Sequence, residues 1–431
     1  MSTIVAQSTP PIASAISIIR LSGENALPLV KAVFSGFKGE VKPRFMYFGR
    51  LDTGKIRDDC MCAYFRAPHS YTGEDMAEIY CHGSVAVCRG IIEYFLSAGA
   101  VMAERGEFTR RAFENGKLDL TESEAVIDLI NAQSEAEARS AYEQLGGALS
   151  QKIGELQRSV TTLIARNEAA IDYPEEDVEE MTAGIIRDEV VELIDKLTAL
   201  KNSYDSGKIM RSGVKVAIVG QPNAGKSMLL NRLLGYERSI VSSVAGTTRD
   251  YVEESFLLRD IRFVLVDTAG VREADDVVEK MGVKRSLDVI NAADIILSVA
   301  APDGEFLCRG DKRALFVENK SDLSKGTRGF AVNISALTGD GLEELKSVLY
   351  EKARSLSASG MGTINNLRHL QAVENALSAA ARALSAIDNR LPPDLIGDDL
   401  MCVYRALGSI TGITSSDEIV GEIFARFCVG K

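Results

Sequence analysis

The clearest chemistry lies in eight residues, Gly220-Gln-Pro-Asn223-Ala224-Gly225-Lys226-Ser227, which fit GxxxxGK[ST]. An apolar run, VKVAIVG, precedes them and a helical pattern, Met228–Leu234, follows. That context marks a phosphate-binding loop. Glycine lets backbone N–H groups close around phosphates, and the helix N-terminus adds partial positive charge. The backbone from Asn223 to Met228 would wrap the phosphates. Lys226 would reach the β- and γ-phosphates, and the Ser227 hydroxyl would ligate Mg²⁺. Asp267-Thr268-Ala269-Gly270 follows a second apolar run and reads as DxxG. Its carboxylate suits the Mg²⁺ shell, and Gly270 N–H suits the γ-phosphate. Asn319-Lys320-Ser321-Asp322 follows a third run and reads as NKxD. The Asp322 carboxylate can accept from N1–H and the N2 amine of guanine, a donor pair that adenine lacks. Such a site can reject the wrong base by roughly 10⁴-fold. Ser335-Ala336-Leu337 fits the loop that supports the guanine. Together these elements predict GTP binding.

The hydrolytic group is less plain from the residues. A water-orienting Gln follows DxxG in Ras-like GTPases; this chain has Val271 there. Glu273, Asp275, Asp276 and Glu279 all lie just beyond, and spacing does not choose among them. Val244-Ala-Gly-Thr247-Thr248-Arg-Asp250 is suited to sensing γ-phosphate and Mg²⁺. Asn223 can ligate a monovalent cation or cap the turn.

These loops need a scaffold. Runs at 214–220, 262–267, 294–299, 314–318 and 330–335 read as buried parallel strands, separated mostly by helical patterns. They predict a doubly wound α/β domain closed by a helix over 341–353. Short β-rich runs at 3–9, 16–21, 60–67 and 76–81 and one helix at 84–99 predict a mixed α+β N-terminal domain. Long helices are expected from Thr121 to about Ser206, opened by a Thr121-x-x-Glu124 capping box. Helices return at 372–387 and 399–407. The tail is small for a core of its own. It is expected to pack with the central helices, which makes the α/β domain an insertion. The predicted division is 1–118, 119–210, 211–356 and 357–431.

Composition limits the remaining choices. The chain has 431 residues and a net charge of −12, from 49 basic and 61 acidic side chains. At about 100–200 residues per domain that length suggests two to four domains. The acidic balance provides no global field for nucleic acid, so any RNA needs a local patch or a partner. The opening residues carry no signal-peptide pattern, and no apolar run is long enough to span a membrane. With seven cysteines and no CxxC, this predicts a cytoplasmic protein with reduced thiols. Cys60 and Cys62 would share one face of a strand. The acidic stretch Asp172–Glu180 reads as a solvated connection rather than a metal site.

Further segments carry a resemblance: Thr3–Pro11, Ser70-Tyr-Thr-Gly-Glu-Asp75, Glu78-Ile-Tyr-Cys-His-Gly83, Gly106–Phe113, Asn115–Leu120 and Phe427-Cys-Val-Gly-Lys431. With the GTP motifs, they make the chain similar from end to end to the bacterial tRNA-modification GTPase family MnmE (TrmE). The resemblance implies an N-terminal domain that dimerises and binds 5,10-methylenetetrahydrofolate or 5-formyltetrahydrofolate. It also implies an all-α helical domain and an inserted Ras-like GTPase domain. It implies K⁺ held by Asn223, Thr247 and the carbonyls of Ser242 and Val244, in the place of an arginine finger. Thr248 joins Ser227 on Mg²⁺, and Glu279 orients water. Arg20, Glu78, Lys117 and Lys431 fall on the folate positions, and Cys428 faces that site. The implied reaction adds an aminomethyl or carboxymethylaminomethyl group at the wobble uridine. The implied partner is the flavoprotein MnmG (GidA), which carries FAD and most of the tRNA surface in a heterotetramer. Three differences stand out: Ile12-Ala-Ser-Ala15 replaces a Gly-rich stretch, Met228 a small hydroxyl residue, and Val429 an isoleucine. A ribosome-assembly GTPase and a non-catalytic GTP-dependent switch or scaffold are the rival readings.

Overall fold

A computed structural model describes residues 2–172, 176–236, 254–267, 288–324, 329, 331–356 and 362–431. Within helices and strands, the side chains of residues 172, 176–182, 236, 266 and 267 are also outside the description. The chain forms two compact units. One holds Met1–Ile127, Leu145–Thr161 and Met401–Lys431; the other holds Asp128–Gln144 and Thr162–Leu400.

The first unit is built on strands β1 (Ile4–Gln7), β2 (Ser14–Ser22), β3 (Met46–Asp52), β4 (Arg57–Phe65), β5 (Met76–Gly83) and β6 (Val101–Met102). Their order is β3-β4-β5-β2-β1-β6. Every pairing is antiparallel except β1 with β6. Helices Ala26–Val33 and Val85–Ser97 cover one face, sharing a core with Ile19, Leu21, Cys60, Cys62 and Ile79. Cys60 and Cys62 are therefore on one buried face, as their spacing predicts. Helix Ala26–Val33, β3, β6 and helix Glu107–Glu114 have no counterpart in the sequence reading. Helix Ala26–Val33 carries Pro28 in its first turn, a tolerated position that breaks the periodic signal. Strand β3 contains Gly49, where a Cβ would lie 2.5 Å from Gly36 N, so close packing selects a poor strand former.

Helix Leu120–Asn131 starts one residue before the expected box. Asp119 is the cap: Glu122 N donates to its Oδ1 (2.9 Å), and Asp119 N donates to Glu122 Oε2 (2.8 Å). Aspartate fills the capping role as well as threonine does. Thr121 is buried and bonds the Ser150 hydroxyl instead. Helix Asp417–Phe424 and Phe427 join Phe113 and Leu120 in a small aromatic cluster.

The second unit contains β7 (Val214–Val219), β8 (Glu254–Leu258), β9 (Ile261–Asp267), β10 (Ile295–Ala300), β11 (Ala314–Glu318) and β12 (Val332–Asn333). The order is β12-β11-β10-β7-β9-β8, parallel throughout except the β8–β9 hairpin. β7 and β10 are central and almost wholly buried, which explains their unbroken apolar runs. Helices Lys226–Tyr236 and Leu342–Leu356 bury Leu229, Leu233, Leu345 and Leu349 in the same core. The expected strand at 330–335 shortens to β12 at the sheet edge. Helix Glu176–Asn202 lies against Leu367–Asp388, with Lys201–Glu374 (2.9 Å) and Arg187–Asp388 (2.7 Å) ion pairs. Ala372, Ala376, Ala379, Ala380, Ala383 and Ala386 of the second helix are buried. Residues 173–175 of the acidic stretch, and the side chains of its other members, lie outside the described residues. Among described residues no helix is long and apolar enough to cross a membrane.

Candidate functional sites

The Gly220–Gly225 loop joins buried β7 to helix Lys226–Tyr236. A Cβ at Gly220 would lie 2.1 Å from Val299 O, so only glycine lets the chain leave the sheet there. Gly225 has φ +90, and a Cβ on it would lie 2.1 Å from Asn319 Nδ2. Asn223 also adopts a left-handed backbone, φ +63, which asparagine tolerates. Lys226 Nζ donates to Gly220 O (2.8 Å) and Gln221 O (2.9 Å), so the ammonium lies over the loop. Asn223 and Ser227 are exposed. Met228 is 47% exposed and therefore does not replace a smaller residue in the core.

Asn319 is buried and acts as a clip. Its Nδ2 donates to Ala224 O (2.9 Å), and its Oδ1 accepts from Ala336 N (2.9 Å). One side chain thus ties the phosphate loop to Ser335-Ala336-Leu337. Arg232 strengthens the tie, donating to Ala336 O (3.0 Å) and Leu337 O (2.6 Å). Asp322 is exposed, and Ser335 Oγ donates to its Oδ1 (2.6 Å). Lys320 holds φ +68 at the turn that presents Asp322. Asn319, Asp322, Ser335 and Ala336 are thus brought together beside Ala224 and Gly225. Leu337 is 61% exposed at the loop tip. The Asp267 backbone ends β9 in register with Ile218, one strand from the phosphate loop. Ser242, Val244, Thr247, Thr248, Thr268, Ala269, Gly270 and Glu279 lie outside the described residues. The sequence reading did not single out Arg232, whose signal is only its helical spacing from the loop.

A second polar site lies in the first unit. Arg20 and Glu78 face each other across β2 and β5. They pair at 2.8–2.9 Å, with side chains only 14% and 10% exposed. Tyr80 OH donates to Glu78 Oε2 (2.6 Å), so both carboxylate oxygens are held. Burial, then this bond, pushes the Tyr80 hydroxyl pKa up. The Arg20 guanidinium sits 5.5 Å from the ring centres of both Tyr71 and Phe108, within cation–π range. Tyr71 and Phe108 contribute through tertiary placement, for which spacing carries no signal, whereas Tyr80 shares a strand face with Glu78 two residues away.

The 427–431 segment folds back onto this sheet. Arg105 bridges Val429, Gly106 N donates to Cys428 O (3.3 Å), and Ser8 Oγ donates to Gly430 O (3.1 Å). Gly430 has φ +94, and a Cβ there would lie 2.4 Å from Gln7 O. Burial, then the Arg20 charge, pulls the Lys431 pKa down, while Glu78 and Cys428 oppose this. Lys431 therefore belongs to the Arg20–Glu78 cluster. Cys428 is exposed. Lys117 is exposed on the same unit, with Nζ donating to Pro68 O (3.2 Å). Ile12–Ala15 are exposed, and the last two of them open β2. Among described residues no His, Cys, Asp and Glu group forms a metal cluster.

Residues 3–117 match the family model of the GTP-binding protein TrmE N-terminus, and residues 120–428 that of the MnmE helical domain. The tRNA modification GTPase MnmE of Clostridioides difficile (strain 630) is 39% identical over 456 residues, covering 100% of this chain and 99% of the relative. Its namesake in Carboxydothermus hydrogenoformans is 40% identical over 457 residues, with the same coverage. That of Aquifex aeolicus is 40% identical over 451 residues, covering 99% of both chains. The solved G domain of the T. maritima FeoB iron transporter is 28% identical over 32% of this chain and 98% of its own. Its TM-score is 0.26, too weak a likeness to add to the family match.

Proposed function

We propose, from the premise that this chain belongs to the MnmE (TrmE) family of tRNA modification GTPases, that it hydrolyses GTP to drive modification of the tRNA wobble uridine. The observation that carries the reading is the Asn319 clip, which joins a phosphate loop to a guanine loop beside Asp322. Asp322 accepts the guanine N1–H and N2 amine, with Ser335 Oγ holding Oδ1 in place. Lys226 exchanges its loop carbonyls for β- and γ-phosphate oxygens. These exchanges position the nucleotide before any chemistry, which is most of what phosphoryl transfer requires.

Mg²⁺ suits the exposed Ser227 hydroxyl at the helix N-terminus, with Thr248 as its second protein ligand and Asp267 in the outer shell. K⁺ suits the exposed Asn223 side chain, joined by Ser242, Val244 and Thr247. Bound there, K⁺ supplies the positive charge that an arginine finger supplies elsewhere. Glu279 orients the attacking water. Thr268, Ala269 and Gly270 follow the γ-phosphate.

In the N-terminal unit, the buried Glu78 carboxylate suits the donor edge of a pterin. Its Oε1 faces both Nε and Nη2 of Arg20, while Oε2 keeps a second lone pair beyond the Tyr80 bond. Lys431 and Lys117 suit the anionic glutamate tail, and Arg20 fixes the orientation of the Glu78 carboxylate. Such a site takes a tetrahydrofolate bearing a one-carbon unit, with Cys428 exposed at its rim. The exposed apolar side chains of Phe48, Met61, Met46 and Ile16 on the same sheet support a homodimer through this unit. The flavoprotein partner MnmG would carry FAD and most of the tRNA contact, in keeping with the net charge of −12. The proposed division at 118/119, 210/211 and 356/357 and a cytoplasmic location belong to the same reading.

The test is GTP hydrolysis by the purified chain in KCl and NaCl at equal ionic strength. Strong stimulation by K⁺ is expected. Equal rates would remove the cation mechanism, and GTP binding without turnover in either salt would favour a switch or scaffold.

A further inference from the structure

β9 begins at a junction and ends at the nucleotide site. Its last residue is Asp267, and its second is Arg262. β9 is paired on both sides, with β7 and β8, so the segment between those residues is stiff. Arg262 reaches three other places at once. Nε donates to Glu137 Oε1 (2.7 Å), Nη1 to Gln133 Oε1 (3.1 Å) and Nη2 to Ser212 O (2.8 Å). Glu137 is only 5% exposed on helix Glu135–Leu145, and its Oε2 accepts from Gln133 N (2.6 Å). Ser212 ends helix Tyr204–Ser212, which leads directly into β7. At Gly213 a Cβ would lie 2.7 Å from Arg262 O, so the two backbones are in contact there. Arg211 makes a second lock, bidentate to Asp128 (2.7 and 2.9 Å). A cavity of about 170 Å³, lined in part by Glu137, Asp260, Arg262 and Tyr350, borders the Arg262 pair. The guanidinium therefore has room to change partners without displacing packed side chains.

We propose that Arg262 is a positioning residue that couples the phosphate end of β9 to helix Glu135–Leu145, so that GTP and GDP favour different arrangements of the junction. This rests on the GTPase reading above. Only arginine presents donors in a fork that serves three acceptors together. A coupling of this kind is reciprocal: changing the junction must change the relative affinity for the two nucleotides.

The experiment measures the affinities of the full-length chain for GDP and for a non-hydrolysable GTP analogue, in wild type and in Arg262→Gln. A shift of about fivefold or more in their ratio is expected. Arg262→Lys should shift it in the same direction, because charge without the fork does not restore three bonds. An unchanged ratio, whatever the loss in melting temperature, would make Arg262 a static staple and overturn the proposal. Should Arg262→Gln fail to fold, Glu137→Gln is read by the same ratio. Modified uridine formed per GTP hydrolysed, with partner and tRNA present, is measured in parallel. A wild-type chain that forms none would refute the tRNA-modification reading and leave the affinity ratio standing as the test of the junction.

Discussion

Replacing Asn319 with alanine should weaken both the fold and nucleotide binding. Asn319 is 2% exposed and satisfies two buried backbone groups, Ala224 O and Ala336 N, themselves 2% and 1% exposed at residue level. Alanine leaves both without a partner. Each orphaned group costs about 1–3 kcal/mol, so the pair costs about 2–6 kcal/mol. Water entering the vacated space recovers part of that, which favours the lower end. A loss of about 2–3 kcal/mol corresponds to roughly 30- to 150-fold in affinity. The assay is a titration with fluorescent GDP, alongside thermal melting. Leu323→Ala serves as the control, since Leu323 is 76% exposed in the same loop. Affinity within about threefold of wild type would refute the reasoning, because the two loops would then hold their places without the clip.

Gly430→Ala puts a methyl 2.4 Å from Gln7 O and 2.9 Å from Ser8 Cα, at φ +94. Folate affinity should fall about tenfold or more, while GDP affinity stays at the wild-type value; a titration of each ligand separates the two. The Lys431 pKa lies below 10.5 in the folded chain. The unfolded chain then holds more protons in the window beneath 10.5, so the Lys431 contribution to stability rises with pH through that window. Urea midpoints for wild type and Lys431→Met should therefore diverge less as pH approaches 10.5 from below; a constant difference would refute this. In native thiol titration Cys402 and Cys428 should react at once and Cys308 more slowly. Cys60, Cys62, Cys81 and Cys88 should react only after unfolding.

The parallel sheet was legible because its strands are buried on both faces. β7 and β10, almost wholly buried, leave unbroken apolar runs. β8 was missed because an edge strand in a hairpin needs no such run. In the N-terminal unit, Pro28 and Gly49 sit where packing, rather than propensity, decides the conformation. The capping box was displaced because two overlapping Ser/Thr/Asp-to-Glu spacings compete, and only tertiary contact of Thr121 with Ser150 settles which is used. The loops of the nucleotide site follow from motif order. What motif order lacks is the internal wiring: the Asn319 clip and the Arg232 tie. Arg20 and Glu78 could be singled out one at a time. Their mutual pairing, and the rings of Tyr71 and Phe108 around Arg20, depend on strand register and on a helix brought in from elsewhere.

The contact between Ser8 and Gly430 spans 422 positions. At about 5–20 residues per second of synthesis, β1 waits roughly 20–80 s for the segment that completes its site. Every strand of the second unit is translated in that interval. The N-terminal sheet must therefore persist with an open seam at Gln7 and Ser8 while the rest of the chain is made. Ligand binding at the Arg20–Glu78 site would then report that translation has passed through the whole nucleotide-binding unit.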